Sequence, residues 1–386
     1  MSQKATIRIA LLLGQDLGYS RRVLSGVLNY AESKQLSCSY HNGAPDVRII
    51  PALEQWQPHG VIVHLSERIL AERLQALSLP MVSVTHTLKN LPISHVDVDS
   101  VAVGQVAADY FLSQGLRSFA YYGSRHAVFS CNRERGFRER LEVLGYPVAN
   151  LHADFLPQPP FSQDWTRMDR QTERWLQRLP KPVGILASND IPARALCELC
   201  RNVGLRVPDE VAILGVDNDV SECRMSDPSL SSVELPAEQI GRDAMQLLLS
   251  QLGGGHAGGG VQRLLPPMGV IVRSSTDHRG TAEPLLQRAL DYIERYADRG
   301  ISVVDVCRHA GRSRRSMERR FQDYFQSTIY QRIQQVQLAR AKRLLLESEL
   351  SISVVADRAG FSSLRQLDRV FRKYETVSPS AYRKLL

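Results

Sequence analysis

The feature that most constrains this chain is a repeated switch of hydrophobic period. Residues 7–13 (IRIALLL), 37–41, 61–64 and 81–85 are short apolar runs that read as strands. Between them, residues 19–34, 46–56 and 68–77 carry the wider spacing of amphipathic helices. Strict strand–helix alternation predicts a parallel sheet covered by helices on both faces. The rhythm restarts further on. Residues 96–115 run from strand into helix, 118–123 are a strand, and 132–145 a helix. After a loop at 156–162 (LPQPPFS) come a helix at 164–179, a strand at 183–188, a helix at 192–203 and a strand at 211–217. Two such blocks exceed the needs of one open sheet, so two similar lobes with a cleft between them are expected.

Ligands of open α/β sheets bind beyond the carboxyl ends of the strands, which singles out the polar residues there. Asp97 and Asp99 follow the strand at Val96, and Arg133 opens a helix beyond the strand ending at Gly123. Asn189 and Asp190 follow Ser188, while Asp217 and Asn218 end the last strand. Carboxylates accept from hydroxyls, arginine donates and asparagine does both, a set suited to a neutral polyol. Trp165 offers a face for the C–H side of a sugar ring. Each has a plainer alternative: Asp or Asn after a strand is often a helix cap, and a lone Trp often belongs to a core.

The C-terminal stretch follows another plan. SVVDVCRHAGRSRRSMERRF (302–321) and SISVVADRAGFSSLRQLDRVF (351–371) each read as a short apolar helix, a turn and an arginine-rich helix. Cys307 or Ala356 is the small residue in the first helix, Gly311 or Gly360 marks the turn, and Ser313 or Ser363 caps the second helix. Such helix-turn-helix units place their second helix in the major groove of DNA. With Met317 and Phe321 turned inward, Arg314, Arg315, Glu318 and Arg319 face out. With Leu367, Val370 and Phe371 inward, Arg365, Asp368 and Arg369 face out. Arginine reads guanine bidentately, and Asp or Glu accepts from cytosine N4; some of these arginines are expected to serve phosphates or intrahelical pairs instead. Residues 286–296 should pack the first unit, and a helix at 329–347 should join the two. Charge agrees: residues 285–386 hold 20 Lys+Arg against 11 Asp+Glu, while the rest of the chain holds 28 against 29. Double-stranded DNA is therefore the expected partner of the basic tail alone.

Several classes are disfavoured. The N-terminal apolar run is too short for a membrane span and lacks a cleavage pattern, so it reads as a buried strand in a cytoplasmic protein without a membrane segment. The six cysteines form no disulfide framework; Cys197-x-x-Cys200 lies in a helix without the further ligands a zinc site needs. The glycine-rich run at 253–260 lacks the Gly-Lys-Ser/Thr of a phosphate-binding loop and reads as a flexible helix-to-strand connection. No nucleophile–base set is evident, so neither an enzyme nor a cofactor is expected.

Specific resemblances follow from particular motifs. SNDIPARALCELCRNVGLRVPDEVAILGVDND (188–219), V-D-V-D-x4-G (96–104), R-x-x-G-F (133–137), SLSSVELPAEQIGRDAMQLLL (229–249) and VIVRSST (270–276) resemble the effector domain of the LacI/GalR regulators. That resemblance implies a type I periplasmic-binding-protein-like fold over residues 7–276, with Asp99, Arg133, Trp165, Asn189 and Asp217 facing an effector. LacI-type regulators keep their DNA-binding helices at the N-terminus; this chain does not. Its tail, with GFSS (360–363), RVFRK (369–373) and SPSAYR (378–383), resembles the AraC/XylS-type DNA-binding domain. Gln366–Leu367 and Thr376 depart from that pattern, at an often aromatic pair and an often glycine position. The combination resembles the bacterial xylose-operon activators. It implies D-xylose as inducer, a homodimer on tandem direct repeats, and activation through RNA polymerase. Another pentose, or repression, remains compatible with the residues; a transport binding protein would share the lobes but have no use for the tail. The fold class expected is thus an α/β two-lobed effector domain (1–276), a linker (277–284) and an all-α domain with two helix-turn-helix units (285–386).

Overall fold

A computed structural model describes residues 6–14, 17–85, 87–88, 92–152, 170–254, 260–277, 284–325, 327–348, 350–375 and 377–384. Its first strand, β1 (Ile7–Leu12), buries Ile9, Ala10, Leu11 and Leu12 almost completely, as a strand covered on both faces must. The alternation then runs α1 (Gly18–Ser33), β2 (Cys38–Asn42), α2 (Ile50–Trp56), β3 (Gly60–Val63), α3 (Arg68–Ala76), β4 (Met81–Ser83) and β5 (Ser94–Val98). It continues with α4 (Ser100–Ser113), β6 (Phe119–Gly123), α5 (Val128–Glu142), β7 (Val148–His152), α6 (Arg170–Arg178), β8 (Val183–Ala187), α7 (Asp190–Asn202), β9 (Val211–Asp217) and α8 (Val220–Met225). The domain closes with β10 (Ser231–Glu234), α9 (Ala237–Leu252), β11 (Gln262–Leu265) and β12 (Gly269–Ile271).

The strands form two six-stranded sheets, in the orders β11-β5-β4-β3-β1-β2 and β12-β10-β9-β8-β6-β7. Every pairing is parallel except β10 with β12. The two lobes are not sequential blocks. The chain leaves the first sheet after β5, returns to it from β10 through α9, and leaves again between β11 and β12. Three crossovers therefore join the lobes.

Two pairs of glycines explain why short sequence signatures mark this fold. A Cβ on Gly104 would overlap the Arg133 carbonyl, and one on Gly136 the Val101 carbonyl, so α4 and α5 touch backbone to backbone. Gly26 and Gly241 do the same for α1 against α9, at the Glu238 and Val23 carbonyls. The buried Cys197 and Cys200 lie within α7, where burial pushes their thiols up to about 11 and about 12.

The C-terminal part is helical: α10 (Pro284–Tyr296), α11 (Val303–Ala310), α12 (Arg314–Phe325), α13 (Ile329–Glu347), α14 (Ile352–Arg358), α15 (Leu364–Glu375) and α16 (Pro379–Lys384). Capping boxes start α11, with Ser302 and Asp305, and α13, with Thr328 and Gln331. Gly311 and Gly360 take the positive φ of +73° and +86° that turns each unit. Two cores result. Ile329 and Ile333 of α13 pack with Met317 and Phe321; Leu338, Ala341 and Leu345 pack with Leu367, Val370 and Phe371. The joining helix thus belongs half to each unit. Gln337, buried at its middle, donates to the carbonyls of Ala297 and Gly360 and ties the units together.

Among the described residues, contacts link the two parts of the molecule, and Asp109 of α4 feels the charge of Glu375 of α15. Met268, in the third crossover, is buried in the core of the second unit beside Phe371 and Tyr382. The Tyr382 hydroxyl approaches the Pro267 carbonyl at 3.5 Å.

Several elements differ from expectation. α5 begins at Val128 rather than at residue 132, which places Arg133 in its second turn. A 3-10 turn, Val47–Ile49, precedes the shorter α2. No strand is expected at β7, β10 or β12, and the bounds of β11, the strand expected after the glycine run, are not placed; β7 is largely exposed, and β11 (QRLL) is short and buries only Leu265.

Candidate functional site: an interlobe cleft and a basic reading face

Chain order reverses between β1 and β3 in one sheet and between β6 and β8 in the other. The ends of those strands bracket the crevice where such sheets bind ligands. Arg133 lies there, its side chain 5% exposed. One guanidinium nitrogen donates to the Ser188 carbonyl, and another sits 3.6 Å from Asp217 Oδ1. The guanidinium also lies 4.9 Å from the Phe129 ring centre. Among the described residues, its Nε is buried without a partner, as is the side-chain oxygen Oδ1 of Asn189. Buried polar atoms are normally satisfied, so these two leave bonding capacity that a ligand's hydroxyl groups could complete.

Asp217 is held by unusual backbone: φ is +110° there and +52° at Asn218. Such conformations cost about 1–3 kcal/mol each and persist only when the surroundings fix them. Asn218 supplies the fixing. Its N–H donates to Ser232 Oγ at 2.9 Å, its Nδ2 to Glu234 at 3.1 Å, and its Oδ1 accepts from Arg273 at 2.7 Å. Burial raises the Asp217 carboxyl to about 6, against the opposing pull of Arg133.

The other expected residues fall in different places. Asp99 caps α4, its Oδ1 accepting from the N–H groups of Val101 and Ala102. Asn189 stands at the N-cap of α7 but makes no capping bond, which leaves its amide to the cleft. Asp190 turns into the protein and accepts from Ser232 Oγ at 2.6 Å, the Asp219 N–H at 2.7 Å and the Cys223 thiol. Burial, then the charge of Asp217, push its carboxyl well up. Trp165 and most of the 253–260 glycine run lie outside the described residues.

The first lobe adds groups that the sequence reading passed over. His64, directly after β3, is half-buried, and desolvation lowers it to about 4, so it is neutral at pH 7. Ser20 Oγ lies 3.4 Å from its Nδ1, and Tyr19 stands edge-on to its ring. Tyr19 feels the charges of Asp97, Asp217 and Arg133, so both lobes meet around one volume. Among the described residues, Thr87 Oγ1 is a further buried hydroxyl without a partner. His64 was hidden because it ends an apolar run; its position just past a strand at the order switch was the available signal.

The lobes also bond directly. The Gly18 N–H donates to Asp219 Oδ2 at 2.9 Å, the Val128 N–H donates to the Thr87 carbonyl at 3.0 Å, and Arg22 lies 3.5 Å from Glu234.

On the reading helices, Met317, Phe321, Leu367, Val370 and Phe371 are buried and Arg314, Arg315, Arg319, Arg365 and Arg369 exposed, as expected. Ser313 and Ser363 accept from the N–H groups of Ser316 and Gln366. Glu318 lies 3.9 Å from Arg314, and Asp368 accepts from Arg372 at 2.8 Å. Arg372 is an exposed cation that the sequence reading left out.

A two-lobed, cleft-bearing α/β domain joined to paired helix-turn-helix units defines a DNA-binding transcription regulator, not an enzyme. The comparisons agree. The periplasmic binding protein-like domain matches residues 108–276, and a helix-turn-helix domain matches residues 306–385. The xylose operon regulatory proteins of Haemophilus influenzae and Escherichia coli K12 are each 30% identical to this chain. They cover 97% of it and 98% and 96% of their own lengths. The solved structure of the xylose-binding transcription activator xylR is 28% identical, covers 99% of this chain and 98% of its own, and superposes with a TM-score of 0.62. The chain belongs to the xylose operon regulatory protein family.

Proposed function

We propose that this chain is a D-xylose-responsive transcription activator whose effector site is the interlobe cleft. The observation that carries this reading is Arg133, fixed between the Ser188 carbonyl and Asp217, with its own Nε and the neighbouring Asn189 Oδ1 unsatisfied. A neutral polyol supplies both acceptors and donors to such a set, and the family's relatives are named for xylose. Asp99, Arg133, Trp165, Asn189, Asp190 and Asp217 form the site, with Asp99 and Asp190 acting mainly by fixing the backbone around it.

Residues 1–276 form the effector domain, 277–284 the linker and 285–386 the DNA-binding domain. Sugar bound between the lobes favours the closed arrangement by its differential affinity for it. Closure moves the crossovers, and the third reaches the second helix-turn-helix unit through Met268. A homodimer in the cytoplasm then presents Arg314, Arg315, Glu318, Arg319, Arg365, Asp368 and Arg369 to tandem repeats of promoter DNA, beside RNA polymerase.

A melting-temperature panel of D-xylose, L-arabinose, D-ribose and D-glucose tests the reading. D-xylose alone should raise the transition. A shift with a different pentose would reassign the effector, and no shift with any of the four would remove the sugar site.

A further inference from the structure

The two reading helices share one register. Ser313 and Ser363 cap them, Met317 and Leu367 enter the cores, and Phe321 and Phe371 follow four residues on. On that register the first helical residue is Arg314 in one unit and Leu364 in the other. Leu364 is 48% exposed and lies outside the apolar core of its unit. Burial in the protein therefore does not explain a leucine at the head of this basic helix.

Its neighbours narrow what it does. Gln366 Oε1 accepts from the Ser362 N–H and hydroxyl at 2.7 Å each, and its Nε2 reaches the Tyr330 hydroxyl at 3.3 Å. Asp368 is held by Arg372. The short polar side chains of this helix are thus engaged within the protein. Leu364 remains outward with Arg365 and Arg369, for which the described residues supply no ion-pair partner. The N-terminal residues of a recognition helix are the ones that meet base edges. The apolar feature those edges present in the major groove is the C5-methyl group of thymine.

We propose that Leu364 is a specificity-determining residue that reads a thymine methyl in the DNA segment covered by the second unit. The first unit, with Arg314 at the equivalent place, asks there for a hydrogen-bond acceptor such as guanine. The two segments bound by one chain then differ at matching positions, although the units share their architecture. This inference rests on the reading that α15 enters the major groove.

The test uses the full chain and a duplex that it selects from a randomised pool. Each thymine is replaced in turn by uracil, which removes only the methyl group, and the affinity is read by fluorescence anisotropy at fixed salt. The native chain should lose about 3- to 5-fold at one thymine, the weight of one buried methyl group. Leu364→Ala should bind the thymine and uracil duplexes equally at that position and keep the native response at others. Leu364 is exposed and outside the core, so the variant should fold; an unchanged melting temperature checks this. Arg369→Ala serves as control: weaker on every duplex, with the thymine preference intact. A thymine preference that persists in Leu364→Ala, or no position that separates it from the native chain, would overturn the proposal. Leu364 would then belong to a protein contact beside Tyr330. Failure to select any duplex would remove the major-groove reading together with it.

Discussion

Arg133 and Asp217 illustrate how the surroundings of a side chain, more than its place in the sequence, set what it can do. Alone in sequence, either is a helix or strand-end residue. The structure buries the guanidinium and holds the carboxylate 3.6 Å away through a left-handed turn. Arg133→Ala should therefore abolish stabilisation by D-xylose while the protein stays folded. At a sugar concentration a hundred times Kd, the native chain gains about 2.7 kcal/mol; the variant's melting temperature should not move with sugar. A normal shift would exclude Arg133 from the site. Asp217 adds a pH dependence. Its folded carboxyl is raised to about 6 from the usual 3.8, in a setting that also includes Asp190, Asp219, Arg133 and Arg22. Its contribution to the stability of the free protein is therefore full below about pH 4 and is lost as pH rises through about 6. If Asp217 contacts the sugar, its ionised form, with acceptors on both oxygens, is the stronger partner for hydroxyl groups. D-xylose affinity by calorimetry should fall about tenfold from pH 7.5 to 5, following the fraction left ionised. Asp217→Asn should bind weakly at both pH values. A flat native profile would show that Asp217 does not contact the sugar.

Elements were the most legible level of this chain, and the reason is periodicity. The fully buried parallel strands, such as residues 183–188 and 211–217, appear as uninterrupted apolar runs and were found within a residue. Strands that bury little lack that signal: β7 buries only Val148 and β11 only Leu265, so neither shows an uninterrupted apolar run. The helix-turn-helix pattern was legible because its glycine, its cap and its buried residues are spaced by geometry alone. The site was less so. Asn189 and Asp190 are adjacent in sequence and looked equivalent, yet one leaves its amide oxygen unpaired in the cleft and the other braces Ser232 and Asp219. His64 and Thr87 came from the far lobe, and only three-dimensional proximity connects them to Arg133. The motif glycines make a prediction at this scale. Gly136→Ala forces α5 away from the Val101 carbonyl and should cost about 1–3 kcal/mol, as overpacking does. Urea denaturation of the full chain measures it; an unchanged midpoint would mean that the α4–α5 contact yields freely.

At the scale of the molecule, the question is how a sugar in the cleft reaches DNA. The chain joining the two parts is one covalent route, but Met268 offers a packed one, from the third crossover directly into the core behind α15. Met268→Ala should leave the calorimetric affinity for D-xylose near native. It should shrink the ratio of DNA affinities measured with and without sugar. An unchanged ratio would return the coupling to the linker. All of this presumes that the two halves communicate, and one titration decides that. The full chain's affinity for its selected duplex is measured by fluorescence anisotropy at fixed salt, first alone and then with saturating D-xylose. The account predicts a change of at least fivefold, about 1 kcal/mol, within the usual range of allosteric coupling, and none with D-glucose. Identical affinities with and without D-xylose would contradict it.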